Sequence, residues 1–389
     1  MSIQGKACIV GAYEHPLRHA PEHSLARLHA EVAVGALADA GLEKDDIDGY
    51  FCAGDSPGAN PWSMANYLNL RQLRHIDSTD MGGCSYLVHV AHAAQAIAAG
   101  KCNIALITLA GRPRSEGVSG TQVRVRGANL PETPFEIPYR PVTLNLYAMC
   151  AMRHMHEFGT TSEQLAWVKV AASHHAQHNP NAMLRNVLSV EDVLASPMIA
   201  DPLRRMDSCV VTDGGGAIIV ARPEIARSLK RPVVSVLGAG ETIKHQDGGA
   251  IDLTYTGVAW TGARAFEEAG LTPDDIQYAS IYDSFTITVL LQLEDLGFCR
   301  KGEGGKFVAD GNLISGVGRL PFNTDGGGMC NNHPSNRGGM TKIIEAVRQL
   351  RGEAHPKVQV PDCQFALATG IGGAIGHRHG AATLIMGRE

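Results

Sequence analysis

Short runs of consecutive apolar residues alternate along this chain with longer stretches in which apolar residues recur every three or four positions. The first run, residues 7–10, predicts a strand that stops at Gly11. Residues 24–40 show helical spacing, with Gly41 as the stop signal. Asp45, Asp46 and Asp48 then lead into the strand-like Tyr50-Phe51-Cys52. An alanine-rich helical stretch over 86–99 ends at Gly100. Residues 104–109 form a run apolar except for Thr108, as expected for a strand covered on both faces. This strand–helix–strand order predicts a layered α/β fold.

Residues 111–200 break the rhythm. Arg112, Arg114, Arg124 and Arg126 are followed by Pro131, Pro134, Pro138 and Pro141. The segment is expected to leave the sheet and lie over the active face. A strand over 217–221 then closes the first half, and residues 223–232 make the best boundary. The second half opens in the same way, with a strand over 233–237, a helix over 256–269 and a strand over 278–282. Ala40-Gly41-Leu42 and Ala269-Gly270-Leu271 each precede a pair of aspartates and an isoleucine. A repeat of about 230 residues argues for duplication of one α/β unit. The expected halves are 1–228 and 229–389, stacked in five layers (α-β-α-β-α).

Bulk properties exclude several classes. The chain has 389 residues, 44% of them apolar, with 44 glycines, which is a globular α/β composition. Net charge is −5 without a basic block, so nucleic acid is not an expected partner. The nine cysteines form no C-x-x-C pair, which argues against a disulfide framework or a zinc site. No stretch has the length of a membrane span, and the first residues lack the apolar core of a signal peptide. A soluble cytoplasmic protein is expected. His174 and His178 share one helical face, but no acidic partner follows at ligand spacing, so no metal site is expected.

Five segments carry candidate chemistry: 82–100, 207–217, 282–286, 326–339 and 370–376. Asp80-Met81-Gly82-Gly83-Cys84-Ser85-Tyr86, followed by a helix and Gly100, resembles the nucleophile loop of the thiolase superfamily. Asn332-His333-Pro334-Ser335-Asn336 is similar to its G-H-P-x-G loop. Tyr282-Asp283-Ser284-Phe285 is similar to its N-E-A-F or H-D-x-F segment, and Gly370-Ile371-Gly372-Gly373 to its C-x-G-G loop. Order and spacing cover nearly the whole chain and resemble most the branch related to sterol-carrier thiolases. The family's two catalytic cysteine slots fall on Gly83 and Gly370, so both thiols are missing. Cys84 stands one place late, and adjacent side chains leave a backbone in different directions.

The resemblance implies the thiolase fold and a coenzyme A thioester as substrate, with no bound cofactor. It implies His333 as base, acid or oxyanion donor, a role open to imidazole near neutral pH. Tyr282 stands where the family orients the thioester oxygen. Its phenol is expected to donate to an oxyanion, or to take a β-hydroxyl proton if its pKa were lowered. The backbone of Gly83, Gly372 and Gly373 is assigned to the oxyanion loops. Asn332 and Asn336 are expected on the pocket floor, with Asp283 beside them as a carboxylate accepting backbone hydrogen bonds. His377 and His379 are expected to be solvated. A retro-aldol step needs no capturing thiol, so a carbon–carbon lyase acting on a β-hydroxyacyl-CoA is preferred. The alternatives are an acyltransferase using Cys84 and a non-catalytic acyl-CoA-binding subunit. The resemblance further implies a homodimer and a partner of the DUF35 kind (an OB-fold, zinc-ribbon protein).

Overall fold

The structure is a computed structural model that describes residues 2–54, 56–118, 133–139, 142–245, 247, 250–334, 338–375 and 377–389. The first half runs through β1 (Cys8–Glu14), α1 (Leu25–Ala40), β2 (Gly49–Phe51), α2 (Pro61–Tyr67), β3 (His75–Asp77), α3 (Ser85–Ala98) and β4 (Ile104–Gly111). The excursion follows, with α4 (Thr133–Glu136), α5 (Thr143–Phe158), α6 (Ser162–Ala176), α7 (Val190–Leu194) and a small hairpin of β5 (Met198–Ala200) and β6 (Leu203–Arg204). The chain returns as β7 (Gly214–Ala221), then α8 (Pro223–Ala226) and β8 (Val234–Lys244). It closes with α9 (Val258–Ala269), β9 (Tyr278–Ser280), α10 (Thr286–Asp295), α11 (Gly304–Val308), α12 (Gly339–Arg351), β10 (Phe365–Ala374) and β11 (His377–Arg388).

The main sheet has the order β3-β2-β4-β7-β1-β8-β11-β10-β9. Its two arms are wired alike. In each, the first strand lies innermost (β1, β8), the last strand beside it (β7, β11), and the earlier ones farther out. The arms join where Cys8 pairs with Ser235 and Ile9 with Val234. The repeated sequence motif has one physical job in both arms. Gly41 (φ 70°) and Gly270 (φ 67°) end α1 and α9 in the left-handed region, where glycine carries no Cβ penalty. Asp46 and Asp275 then accept the backbone N–H of Glu43 and Thr272, each at 2.8 Å, to shape the turn into the next strand.

Three apolar clusters define the layers. Leu87, Val90 and Ala94 of α3 and Met340, Ile343 and Val347 of α12 are buried together with Ile107 and Ile218 of one arm and Ala366, Ala368 and Leu384 of the other. These two helices therefore fill the space between the arms. Val32 and Ala36 of α1 cover the outer face of the first arm. Ala265 of α9 and Ile287 and Leu291 of α10, with Tyr147 and Ala151 of α5, cover the outer face of the second. The result is helix, sheet, helix, sheet, helix, which is the expected duplicated five-layered arrangement. The excursion helices α5 and α6 lie against α10.

Two strands run past their expected ends for one reason. β1 continues through Gly11 to Glu14, and a Cβ at Gly11 would stand 2.6 Å from the Ala36 carbonyl oxygen of α1. β8 continues through Gly238 and Gly240, whose Cβ atoms would meet the carbonyl oxygens of Ala265 and Thr261 of α9 at 2.2 and 2.3 Å. These glycines let a helix close onto a strand and do not break it. β9, by contrast, ends at Ser280, and the chain turns away before Tyr282.

His92 of α3 ties the arms together at their edge. Its Nδ1 lies 2.7 Å from Asp77 of β3, and its Nε2 lies 3.1 Å from Glu241 of β8. The hydrogen bond to Asp77, then the one to Glu241, raises the imidazole pKa to about 9. A folded-state pKa above the unfolded value gives stability that is complete below about pH 6.5 and is lost as pH rises through 9. Compared with His92→Gln, the wild-type chain should melt higher by an amount worth ~1–2 kcal/mol near pH 6. That gap should close by pH 10 in thermal melts across the pH range, and a gap that stays constant with pH would refute the clamp.

Candidate active site

The turn before α3 presents two neighbours in opposite senses. Gly82 (φ 65°) starts a one-turn 3₁₀ helix, Gly82–Cys84, that feeds α3. Asp80 accepts the Gly82 N–H at 3.0 Å, and Ser85 Oγ donates to the Gly82 carbonyl at 2.8 Å, so the turn is braced on both sides. Residue 83 then faces the loop carrying Tyr282 and Ile371 of β10. Cys84 turns inward, fully buried, with its Sγ donating to the Met81 carbonyl at 3.1 Å. Burial holds its thiol in the protonated form, far above the ordinary range.

The space where a residue-83 side chain would stand is already occupied. A Cβ on Gly83 would lie 2.1 Å from the Ile371 carbonyl oxygen and 2.4 Å from the Tyr282 hydroxyl. The phenol thus reaches into the volume that a side chain on the α3 turn would fill. The second slot is closed as well. A Cβ on Gly370 would lie 2.8 Å from Cys84 Cα and 3.0 Å from its Cβ. Gly372 presses on the Met81 carbonyl, where a Cβ would come within 1.6 Å. Gly373 (φ 75°) bulges out of the β10–β11 ladder, and Tyr147 of α5 donates its hydroxyl to the Gly373 carbonyl at 3.1 Å.

Tyr282 is held from the second arm. Its N–H donates to Thr369 Oγ1 at 3.3 Å, and its carbonyl accepts from Gln292 Nε2 at 2.7 Å. The phenol is 4% exposed, and burial drives its pKa well above the ordinary value. Of the two roles left open by the sequence, the condition for the second, a lowered pKa, is not met: Tyr282 is a neutral phenol, able to donate. Its hydroxyl meets His333 Nε2 at 3.1 Å, with the rings edge to face. His333 itself donates its backbone N–H to Thr212 Oγ1 at 2.9 Å.

Asn332 is not on a pocket floor; Asp283 accepts backbone hydrogen bonds as expected, but from a buried position away from the pocket. Asn332 is fully buried, with Oδ1 accepting from Thr212 at 2.6 Å and Nδ2 donating to Glu14 at 2.8 Å. Asp283 is equally buried. It accepts the N–H groups of Gly328 and Met329 at 2.9 and 3.1 Å and pairs with Lys342 at 2.6 Å. Both hold the 326–333 loop from behind, because every polar atom of theirs is taken by protein. Asn336 lies outside the described residues, as do Arg124, Arg126, Pro131 and Pro141 of the excursion.

The remaining histidines separate from the site. His379 is fully buried and not solvated, because strand alternation puts it with Ala381 and Thr383 on the face that α9 covers. His175 accepts the Ser315 N–H at 2.9 Å, and His178 stacks on His355. Sequence reasoning did not single out Tyr147, Thr212, Glu14 or Arg18. Thr212 lies within the candidate segment 207–217, and Glu14 and Arg18, four residues apart in sequence, meet at 2.8 Å. Tyr147 sits in the excursion without any motif.

This architecture, a duplicated α/β sheet with a phenol–imidazole pair at the loops around the α3 turn, defines a thiolase-fold enzyme for carbon–carbon bond chemistry. The family model described as thiolase C-terminal domain-like matches residues 240–388. The chain is 35% identical to the 17-hydroxy-3-oxo-4-pregnene-20-carboxyl-CoA lyase of Mycobacterium tuberculosis, over 95% of this chain and 98% of that protein. It is 33% identical to an acetyl-CoA acetyltransferase of Methanothermobacter thermautotrophicus, over 89% and 91%. The solved Ltp2–ChsH2(DUF35) aldolase superposes with a TM-score of 0.89 at 32% identity, covering 99% of this chain and 98% of that one. The chain belongs to the thiolase superfamily.

Proposed function

We propose that this chain is an acyl-CoA-dependent carbon–carbon lyase that cleaves a β-hydroxyacyl-CoA through a thioester enolate. The relatives' activities divide between lyase or aldolase and acetyltransferase, so the decision falls to the site. The observation that carries the reading is the Tyr282 hydroxyl standing where a residue-83 side chain would be, 3.1 Å from His333. A phenol in that place cannot accept an acyl group as a thiolate does, but it can move a proton.

In the proposed step the β-hydroxyl gives its proton to the Tyr282 oxygen as the phenol passes its own to His333 Nε2, 3.1 Å away. The Cα–Cβ bond breaks, its electrons form the enolate, and the β-carbon leaves as a free aldehyde or ketone. The α-carbon then takes a proton back, which leaves a shortened acyl-CoA. The backbone amides of Gly83 and of the 372–373 loop are the proposed donors to the thioester oxygen, as preorganised amides serve where charge develops. Among these Gly373 is favoured, because the bulge lifts it out of the ladder. The same groups run backwards would perform an aldol condensation. The acyltransferase reading requires a reactive Cys84 thiolate, which its burial opposes.

A DUF35-type protein is the proposed partner, as in the solved aldolase. A homodimer would pair at β3, the outer strand of the first arm, where Ile76 is half exposed. Among the described residues, no helix is long and apolar enough to cross a membrane.

The test is a panel of β-hydroxyacyl-CoA thioesters offered to the chain with its partner, with no free coenzyme A added. One equivalent of carbonyl product per shortened thioester is expected, and iodoacetamide should leave the rate within about twofold, since a buried neutral thiol is a poor nucleophile. A requirement for free coenzyme A, with an acyl adduct on Cys84 in mass spectra, would overturn the reading. So would tight binding with no turnover in the complex.

A further inference from the structure

We propose that Thr212 is a positioning residue that sets the distance between His333 and Tyr282, with Glu14 as its buried anchor. The inference rests on the proposed proton-transfer role of that pair.

Tyr282 is held within the second half, whereas the His333 backbone itself is held from the first. Tyr282 is fixed by Thr369 and Gln292 of the second arm. His333 is reached from the first arm. Thr212 lies just before β7, and Glu14 ends β1. Arg18, which follows, donates to the Asn331 carbonyl at 3.2 Å and to its Oδ1 at 2.7 Å. The 3.1 Å contact therefore depends on how the first arm holds the 331–333 backbone.

Hydrogen-bond polarity makes the chain of contacts directional. The Glu14 carboxylate only accepts. It takes Arg18 Nη2 at 2.8 Å on Oε1 and Arg348 Nη1 at 3.3 Å on Oε2. Asn332 must therefore present Nδ2 to Glu14, at 2.8 Å, which turns its Oδ1 toward Thr212. An amide oxygen only accepts, so the single Thr212 hydroxyl proton goes to Asn332, at 2.6 Å. The Thr212 lone pairs are then left to accept the His333 N–H, at 2.9 Å. No link in this series has an alternative polarity. Thr212, Asn332 and Glu14 are all buried, so water does not substitute for a missing partner without opening the loop.

Thr212→Val keeps the shape and removes the hydroxyl. It leaves the His333 N–H and Asn332 Oδ1 without their partner, and the loop must shift to find others. A displacement of ~1 Å costs on the order of 100-fold in rate when it separates reacting groups. The expected result is a kcat at least tenfold lower with KM within about twofold, because the loss falls on proton transfer and not on thioester binding. Thr212→Ser restores the hydroxyl without the methyl and should return kcat to within about threefold of wild type. Thr212→Ala carries the same expectation as valine should the valine variant not fold. A second readout needs no turnover. In histidine-labelled full-length chain, the ring signals assigned to His333 by their loss in His333→Ala should move in Thr212→Val and return in Thr212→Ser. If wild type turns over no member of the thioester panel, the lyase reading fails alone and the ring signals still decide this one. A valine variant with wild-type kcat, a serine variant as slow as valine, or unmoved ring signals would each overturn the proposal.

Discussion

Tyr282→Phe is expected to fold normally and to lose at least ~100-fold in kcat on any thioester the wild-type chain cleaves, the size of effect that one positioned acid–base group supplies. The two halves of that expectation come from different parts of the residue. The ring is buried with Phe285 and Ile281 in the cluster under α10, and phenylalanine preserves that packing. The backbone contacts to Thr369 and Gln292 do not involve the hydroxyl. Removing the phenol's hydrogen bonds to His333 and to the Gly338 backbone should cost ~1–3 kcal/mol in stability. The chemistry, in contrast, loses the atom that stands where the scissile group must be met. Burial pushes the Tyr282 pKa up, so the phenol stays protonated to the alkaline end of the accessible range, and its own ionisation should produce no falling limb of kcat below about pH 10. Melting temperature and single-turnover rates on the same preparations check both halves. A phenylalanine variant retaining more than about a tenth of wild-type kcat would remove Tyr282 from the mechanism.

How much of this was legible in the sequence differs from residue to residue. Counting back from Gly100 puts glycine at 83, and that absence is readable without coordinates. What fills the vacancy is not readable, since Tyr282 lies about two hundred positions away and only the sheet brings its hydroxyl to the α3 turn. The repeated Gly-Leu-x-x-Asp-Asp-Ile turns predicted the duplicated arms, because each motif carries its own local hydrogen bonds. Asn332 was expected to face the pocket because a glycine-rich loop suggests close approach to ligand. It turns inward because Glu14, 318 residues earlier, takes its amide. His379, expected in solvent, is buried. Counting by twos through Ala381 and Thr383 places it inside, so there the signal existed in the strand alternation. Gly11 reads as a stop, and the strand expected over 233–237 ends just before Gly238. Their role is a helix carbonyl pressed against the strand, a tertiary fact with no local signature.

Gly83→Cys, which restores the family's thiol to its usual place, is expected to damage the protein and not to convert it. The new Cβ would meet the Ile371 carbonyl oxygen at 2.1 Å and the Tyr282 hydroxyl at 2.4 Å, both closer than real Cβ contacts come. A tyrosine can swing, but the carbonyl belongs to a residue paired with Ala381 in the β10–β11 ladder and has nowhere to go without breaking it. Forcing atoms into such a packed site costs about 3 kcal/mol or more when backbone must move. Lower soluble yield and a depressed melting temperature should follow, with no coenzyme A-dependent thiolysis gained. Gly83→Ala should behave alike, since the Cβ causes the collision and sulfur is incidental. Adding Tyr282→Ala should recover part of the lost stability but not all, because the carbonyl clash remains. The second slot is barred independently, as a side chain at 370 would run into the Cα and Cβ of Cys84. Regaining two thiols would therefore require moving Tyr282, reshaping the 370–373 loop and shrinking residue 84 together, a set of coupled changes that single substitutions do not reach. A stable Gly83→Cys chain with wild-type melting behaviour and new acyl-transfer activity would show that the phenol is not holding that space.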